Sequence, residues 1–232
     1  MTERENIVAL VRHELSINRK TALCCAGVVL ALLVIALTPL RELPLFEPAG
    51  DPKGTPGAVW LLLRSILTCA VLLIPASLFA HEVKRGTMGL LLALPVSRKA
   101  LLLGKVLGGV ILVGGVVVGL AATDLVAASV DPSVGDRVYL GGFPPRFKAS
   151  LLAAVFASSL AGGLLTASTV AGALLGMAMV TVPPVLVIML SAAVAEGPPF
   201  AATSVVLAIE AAIAAILSYH WLSRLEPRRV AS

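Results

Sequence analysis

Residues 149–195, ASLLAAVFASSLAGGLLTASTVAGALLGMAMVTVPPVLVIMLSAAVA, run for 47 positions without one Asp, Glu, Lys or Arg. At about 1.5 Å per residue that is roughly 70 Å of helix, more than two thicknesses of a ~30 Å hydrocarbon core. The run must therefore turn once, and the small, polar Ala167-Ser168-Thr169 ahead of Gly172 is the expected place. The rest of the chain agrees. Of its 232 residues 58% are hydrophobic and 13% charged, with a mean hydropathy of +0.99. Soluble domains are about 45–50% apolar and about 25% charged. A soluble fold of this size has no interior for several such segments. The apolar runs are continuous, whereas barrel strands would alternate apolar and polar over ~10 residues. The fold class is an all-α integral membrane protein.

Working outward, six spans can be drawn: Thr21–Leu40, Ala58–Ala80, Leu101–Thr123, Ala149–Thr169, Val170–Val194 and Ala201–Leu222. Orientation follows from Lys and Arg, which accumulate on the cytoplasmic side. With the N-terminus inside, twelve basic residues fall inside: Arg4, Arg12, Arg19, Lys20, Lys84, Arg85, Arg98, Lys99, Lys105, Arg224, Arg228 and Arg229. Six fall outside: Arg41, Lys53, Arg64, Arg137, Arg146 and Lys148. Both termini are thus expected in the cytoplasm, with residues 223–232 as a cytoplasmic tail. The outer segments read as loops. Pro44, Pro48, Pro52 and Pro56 exclude a continued helix, and Gly197-Pro198-Pro199 returns the chain into the last span.

Several function classes fall away. The net charge of +5 is spread over membrane boundaries rather than gathered in one patch, so nucleic acid is not an expected partner. Cys24, Cys25 and Cys69 lie inside apolar stretches at spacings that match no zinc or redox motif. His81-Glu82 opens like a metalloprotease motif, but Arg85 stands where the second His belongs. No metal is expected. Gly104-Lys105 is preceded by Lys99 where a phosphate-binding loop needs glycine, and is followed by Val106. The chain is therefore not its own ATPase.

Two features exceed what a bare helical bundle requires. In the leader, residues 1–20, Ile7, Val8, Leu10, Val11 and Leu15 share one side, while Arg12, Ser16, Arg19 and Lys20 lie opposite. Glu14 interrupts the apolar side. A basic amphipathic helix beside a span is expected to lie in the headgroup plane, beyond serving as a topology anchor. The second feature is the inner loop over residues 81–100. Gly86 breaks the chain after span two, and Thr87 and Ser97 are candidate N-caps. Pro95 pushes Leu94 out of the helical region. Between them a short helix from Met88 to Leu94 carries Leu90, Leu91, Leu92 and Leu94. It is too short to span and too apolar to sit in water.

At this loop the sequence resembles a known family. Glu82-x-x-x-Gly86-Thr87, followed by Leu91-Leu92-x-x-Pro95-Val96-Ser97-Arg98, is similar to the first cytoplasmic loop of type-2 permeases of ATP-binding-cassette transporters. Six spans, a basic leader and cytoplasmic termini also fit that family. The resemblance implies that the leader is an interfacial elbow helix and that the loop is a coupling helix docked on a cytoplasmic ATPase. Thr87 to Leu94 would then form the docking surface, with Glu82, Lys84, Arg85 and Arg98 setting hinge charges. Gly89 departs from the helix-favouring acidic residue common there. The implied function is the permease subunit of an ATP-driven exporter in the inner (plasma) membrane, working by alternating access. Its partners would be a separate ATPase carrying ATP and Mg, a second permease subunit (identical or related) and membrane lipids. No cofactor is expected on this chain itself, and no catalytic residue.

Glu210 supports the rival reading. It lies about 15 Å into span six, and an intramembrane carboxylate marks a pathway or a polar pair. Arg64 enters span two from the same side. Three readings stand: a structural Arg64–Glu210 pair, a protonated and hydrogen-bonded Glu210, or a substrate-facing group. An ion-coupled secondary carrier would use Glu210 as its titrating residue. Asp124 reads as solvated. Gly104/Gly108, Gly115/Gly119 and Gly172/Gly176 permit close helix contact, within one subunit or between two. Pro183-Pro184 should kink span five.

Overall fold

A computed structural model describes residues 3–38, 40, 57–87, 97–130, 145–192 and 200–224. Among these it has seven helices and no strand. They are α1 (Glu3–Ile17), α2 (Arg19–Leu37), α3 (Ala58–Arg85), α4 (Arg98–Val130), α5 (Pro145–Thr166), α6 (Thr169–Ala192) and α7 (Phe200–Arg224). Five of them, α2, α3, α4, α5 and α7, are long and apolar enough to cross a membrane. In α6 the described apolar stretch is Thr169–Val182, shorter than a span, although the helix itself continues to Ala192 through Pro183-Pro184.

The helix boundaries depart from the drawn spans both ways: α2 stops at Leu37 and α5 at Thr166, short of the drawn ends, while other helices run past theirs. α3 runs five residues past Ala80, and α4 begins at Arg98 and continues to Val130. Hydropathy locates the apolar centre of a helix; the backbone hydrogen bonds continue into polar flanks that hydropathy discards. The leader divides from the first span at Asn18, so Arg19 and Lys20 occupy the first turn of α2 instead of the end of α1. Cations at a helix N-terminus cost about 0.3–1 kcal/mol each, similar in size to their attraction to anionic headgroups.

The expected turn in the uncharged block is where the sequence places it. α5 ends at Thr166, Ala167 takes a left-handed backbone (φ 51°), and α6 starts at Thr169. Across the break Ala167 N donates to Gly163 O at 3.2 Å, and Ala171 N donates to the Ser168 hydroxyl at 3.4 Å. Those two bonds satisfy groups that the break would otherwise orphan.

The chain forms two compact units. One comprises Ile17–Val71 and Ile111–Phe143. In it, Leu32, Leu67 and Trp60 are buried. A Cβ on Gly119 would stand 2.7 Å from Val29 Cγ2, so that glycine is where α4 meets α2. The other unit comprises Met1–Ser16, Leu72–Val110 and Pro144–Ser232. There α5 packs mainly against α6 and α7. The closest approaches use glycine: a Cβ on Gly163 would collide with the Ala76 backbone of α3, and one on Gly162 with the backbone of Gly172. Lipid tails are as apolar as leucine, so such close packing, rather than apolar burial, holds membrane helices together. A cluster of Leu78, Phe79, Leu160, Leu164 and Leu222 draws in Val83, Leu102, Val106, Phe156 and Trp221. It lies near the ends of α3 and α4 that bear the connecting loop.

Candidate functional site

The residues at the base of that loop are joined by charge. Lys105, one turn into the apolar part of α4, is 1% exposed. Its ammonium donates to Glu14 of α1, to Glu82 Oε1 of α3 at 2.6 Å and to Leu78 O of α3 at 2.9 Å. An ammonium has three donors, and these three acceptors use them all. The Phe79 ring lies 5.2 Å from the nitrogen and offers its negative face. One cation thus ties the leader helix to both helices that flank the loop.

Two glycines make room for this arrangement. A Cβ on Gly104 would stand 2.6 Å from Leu10 Cβ, and one on Gly108 would stand 2.8 Å from Glu14 Cβ. Leu10 and Glu14 are one turn apart on α1, as Gly104 and Gly108 are on α4, so the two helices meet in register. The glycine pair therefore packs the leader, within one subunit. Gly172 and Gly176 likewise sit against α5. Gly115 has nothing within 4 Å.

Glu14, which the sequence shows as a flaw in the apolar face, is the residue that the fold buries. Lys105, which reads as one more topology charge, is its partner. A signal was present: a lysine flanked by Leu101-Leu102-Leu103-Gly104 and Val106-Leu107 has no aqueous face of its own, and an acid on an apolar helix face needs a cation. Nothing in one sequence pairs two residues 91 positions apart.

The loop boundaries follow the local rules. α3 ends at Arg85, and Gly86 turns the chain with φ 71°, its N–H donating to Val83 O at 3.2 Å. The Thr87 hydroxyl donates to Glu82 O at 3.5 Å. Ser97 caps α4, accepting from Ala100 N at 3.1 Å. Lys84 and Arg85 are exposed, as is Ser97, while Arg98 is half-buried. The candidate docking residues Leu90, Leu91, Leu92, Leu94, Pro95 and Val96, with the short helix expected there, lie outside the described residues.

Arg64 is engaged within its own compact unit. Arg64 meets Asp124 in a two-bond contact, with Nη2 to Oδ2 at 3.2 Å and Nη1 on Oδ1. Asp124, read as solvated, is only 19% exposed. Both Glu210 oxygens are buried, and the polar group beside them is the Ser158 hydroxyl of α5.

The model of a family described as ABC-2 family transporter protein matches residues 9–220, nearly the whole chain, including the leader, the loop and the last helix. The chain belongs to that family of ATP-binding-cassette permeases, and it is a multi-pass membrane subunit of such a transporter. Comparison with curated proteins and with solved structures found no match.

Proposed function

We propose that this chain is the permease of an ATP-driven exporter whose loop, residues 81–100, is moved by a separate ATPase subunit carrying ATP and Mg. In this reading residues 1–20 lie in the cytoplasmic headgroup plane and residues 21–222 form a six-span transport domain. Both termini are cytoplasmic. Two permease subunits stand over two ATPases and alternate between inward- and outward-facing arrangements. The work is mechanical, and no residue here does chemistry.

The observation that carries this reading is the Glu14–Lys105–Glu82 cluster. A loop that moves spans must be stiffly joined to them, and a buried, fully hydrogen-bonded ammonium makes such a joint. Glu82 closes α3, Lys105 belongs to α4, and Glu14 brings the leader with them, so a push on the loop reaches three helices together. Leu91 and Leu92 supply an apolar face for a groove on the ATPase. Family membership favours ATP-driven transport over the ion-coupled carrier.

The test is substitution of Leu91→Asp and Leu92→Asp in the assembled transporter. Membrane insertion should be unchanged and transport-coupled ATP hydrolysis lost. Coupled hydrolysis at the unsubstituted rate in both variants would remove the docking role.

A further inference from the structure

Where α1, α3 and α4 meet, two carboxyls converge on one ammonium. Lys105 donates to Glu14 and to Glu82 Oε1, while Glu82 Oε2 is buried and has no donor. The side chains of Lys105, Glu14 and Glu82 are 2%, 3% and 16% exposed. Glu82 stands beyond Ala80, the end drawn for span two, so it reaches the lysine from the loop side. With both carboxyls ionised, the cluster would hold one net negative charge in a nearly dry site. Such a charge is costly, and pairs of carboxyls in one site avoid it by retaining a proton.

The surroundings do little to balance that charge. α5 and α7 reach this end of α3 through Leu160, Leu164, Trp221 and Leu222, all uncharged. His81, Lys84 and Arg85 of α3 itself are exposed, as is His13 of α1. Among the described residues, the charges that act on Glu82 are Lys105, Glu14 and His13. Burial outweighs the lysine and lifts the Glu82 carboxyl above the ordinary carboxylate range, and the Glu14 charge adds to the effect. A neutral acid at Oε2 leaves one hydrogen bond unmet, which costs less than an unmet charge.

We propose that the cluster is a proton-binding switch: one proton sits on Glu82 Oε2, leaving Lys105 and Glu14 an even pair, and the grip of α1 and α3 on α4 slackens when that proton leaves. The folded state holds the proton more tightly than the unfolded chain does. Its contribution to stability is therefore present at acid pH and lost as the pH rises through the folded Glu82 value. The proton stands on the cluster alone. Its effect on transport rests on the reading of the cluster as the joint of the loop, and a measurement on the permease without its ATPase separates the two.

The purified full chain in lipid nanodiscs is followed between pH 5 and pH 9 by thermal unfolding and by the infrared stretch of protonated carboxyl groups. Glu82→Gln, which imitates the neutral acid, is the reference. Its Tm should gain on that of the unsubstituted chain by about 3 °C or more from pH 5 to pH 9. At pH 6 the unsubstituted chain should show carboxyl intensity that Glu82→Gln lacks and that is gone at pH 9. Parallel Tm profiles overturn the site, as does equal carboxyl intensity in the two chains. His13→Gln should leave the Tm gap in place; its loss there would assign the pH dependence to the histidine and overturn the proposal. Should Glu82→Gln fail to fold, Glu14→Gln decides. Lys105 then balances Glu82 alone, and the carboxyl intensity at pH 6 should fall; unchanged intensity overturns the proposal.

Discussion

Lys105 of α4 donates to Glu14 of α1 across 91 positions of sequence, and both side chains are at most 3% exposed. The pair is completed by Glu82, so that one ammonium serves two carboxylates, with Glu82 Oε2 buried and unpartnered. Breaking a buried pair by removing one member is far costlier than replacing all members by apolar groups of similar size, because a lone buried charge remains.

That asymmetry gives the first expectation. Lys105→Met should destabilise the permease by about 3–5 kcal/mol, while Lys105→Met with Glu14→Leu and Glu82→Leu should recover most of the loss. Thermal unfolding of the single and triple variants measures it. If the cluster is also the joint for the loop, the triple variant should fold yet show weakened coupled ATP hydrolysis. A stable triple variant with full coupling would reduce the cluster to packing.

The Arg64–Asp124 contact joins α3 to α4 in the other compact unit, and its side chains are 18% and 19% exposed. Partial exposure lets water soften the loss of either member. Arg64→Leu or Asp124→Leu should each cost about 1–3 kcal/mol, and the exchange Arg64→Asp with Asp124→Arg should restore part of it. A double-mutant cycle on Tm reads the coupling. Additive effects of the two single changes would show that the contact contributes nothing.

Glycines provide a third, sharper contrast. At Gly163 an added methyl meets the Ala76 backbone, which cannot rotate away, so Gly163→Ala should cost about 1–3 kcal/mol. At Gly115 a methyl meets nothing within 4 Å, and Gly115→Ala should gain about 0.5–1 kcal/mol from helix propensity alone. Unfolding midpoints of the two variants should shift in opposite directions. A loss at Gly115 similar to that at Gly163 would mean that this face of α4 is covered by another chain.

Much of the architecture was legible from local pattern. The uncharged block, its turn at Ala167-Ser168, the stop at Gly86 and the Ser97 cap all depend on residues within a few positions of one another. So did the family, whose recognisable residues are contiguous around the loop. The site was less legible. Glu82 reads as a loop residue, whereas the structure makes it one arm of a cluster whose centre, Lys105, reads as a topology charge. Asp124 reads as solvated, whereas the structure sets it against Arg64 in the same compact unit.

The sequence by itself therefore determined which segments are apolar helices and where the uncharged block turns. Short-range hydrogen bonding and the cost of charge in hydrocarbon act on each segment separately. Only the tertiary structure decided which charges meet. Arg64 had several acids available and took Asp124; Lys105 drew in Glu14 from the far end of the chain; Glu210 was left with Ser158. Electrostatic pairing in a low-dielectric interior is a matter of ångströms between helices, and helix packing sets those distances through glycines at Gly104, Gly108 and Gly163.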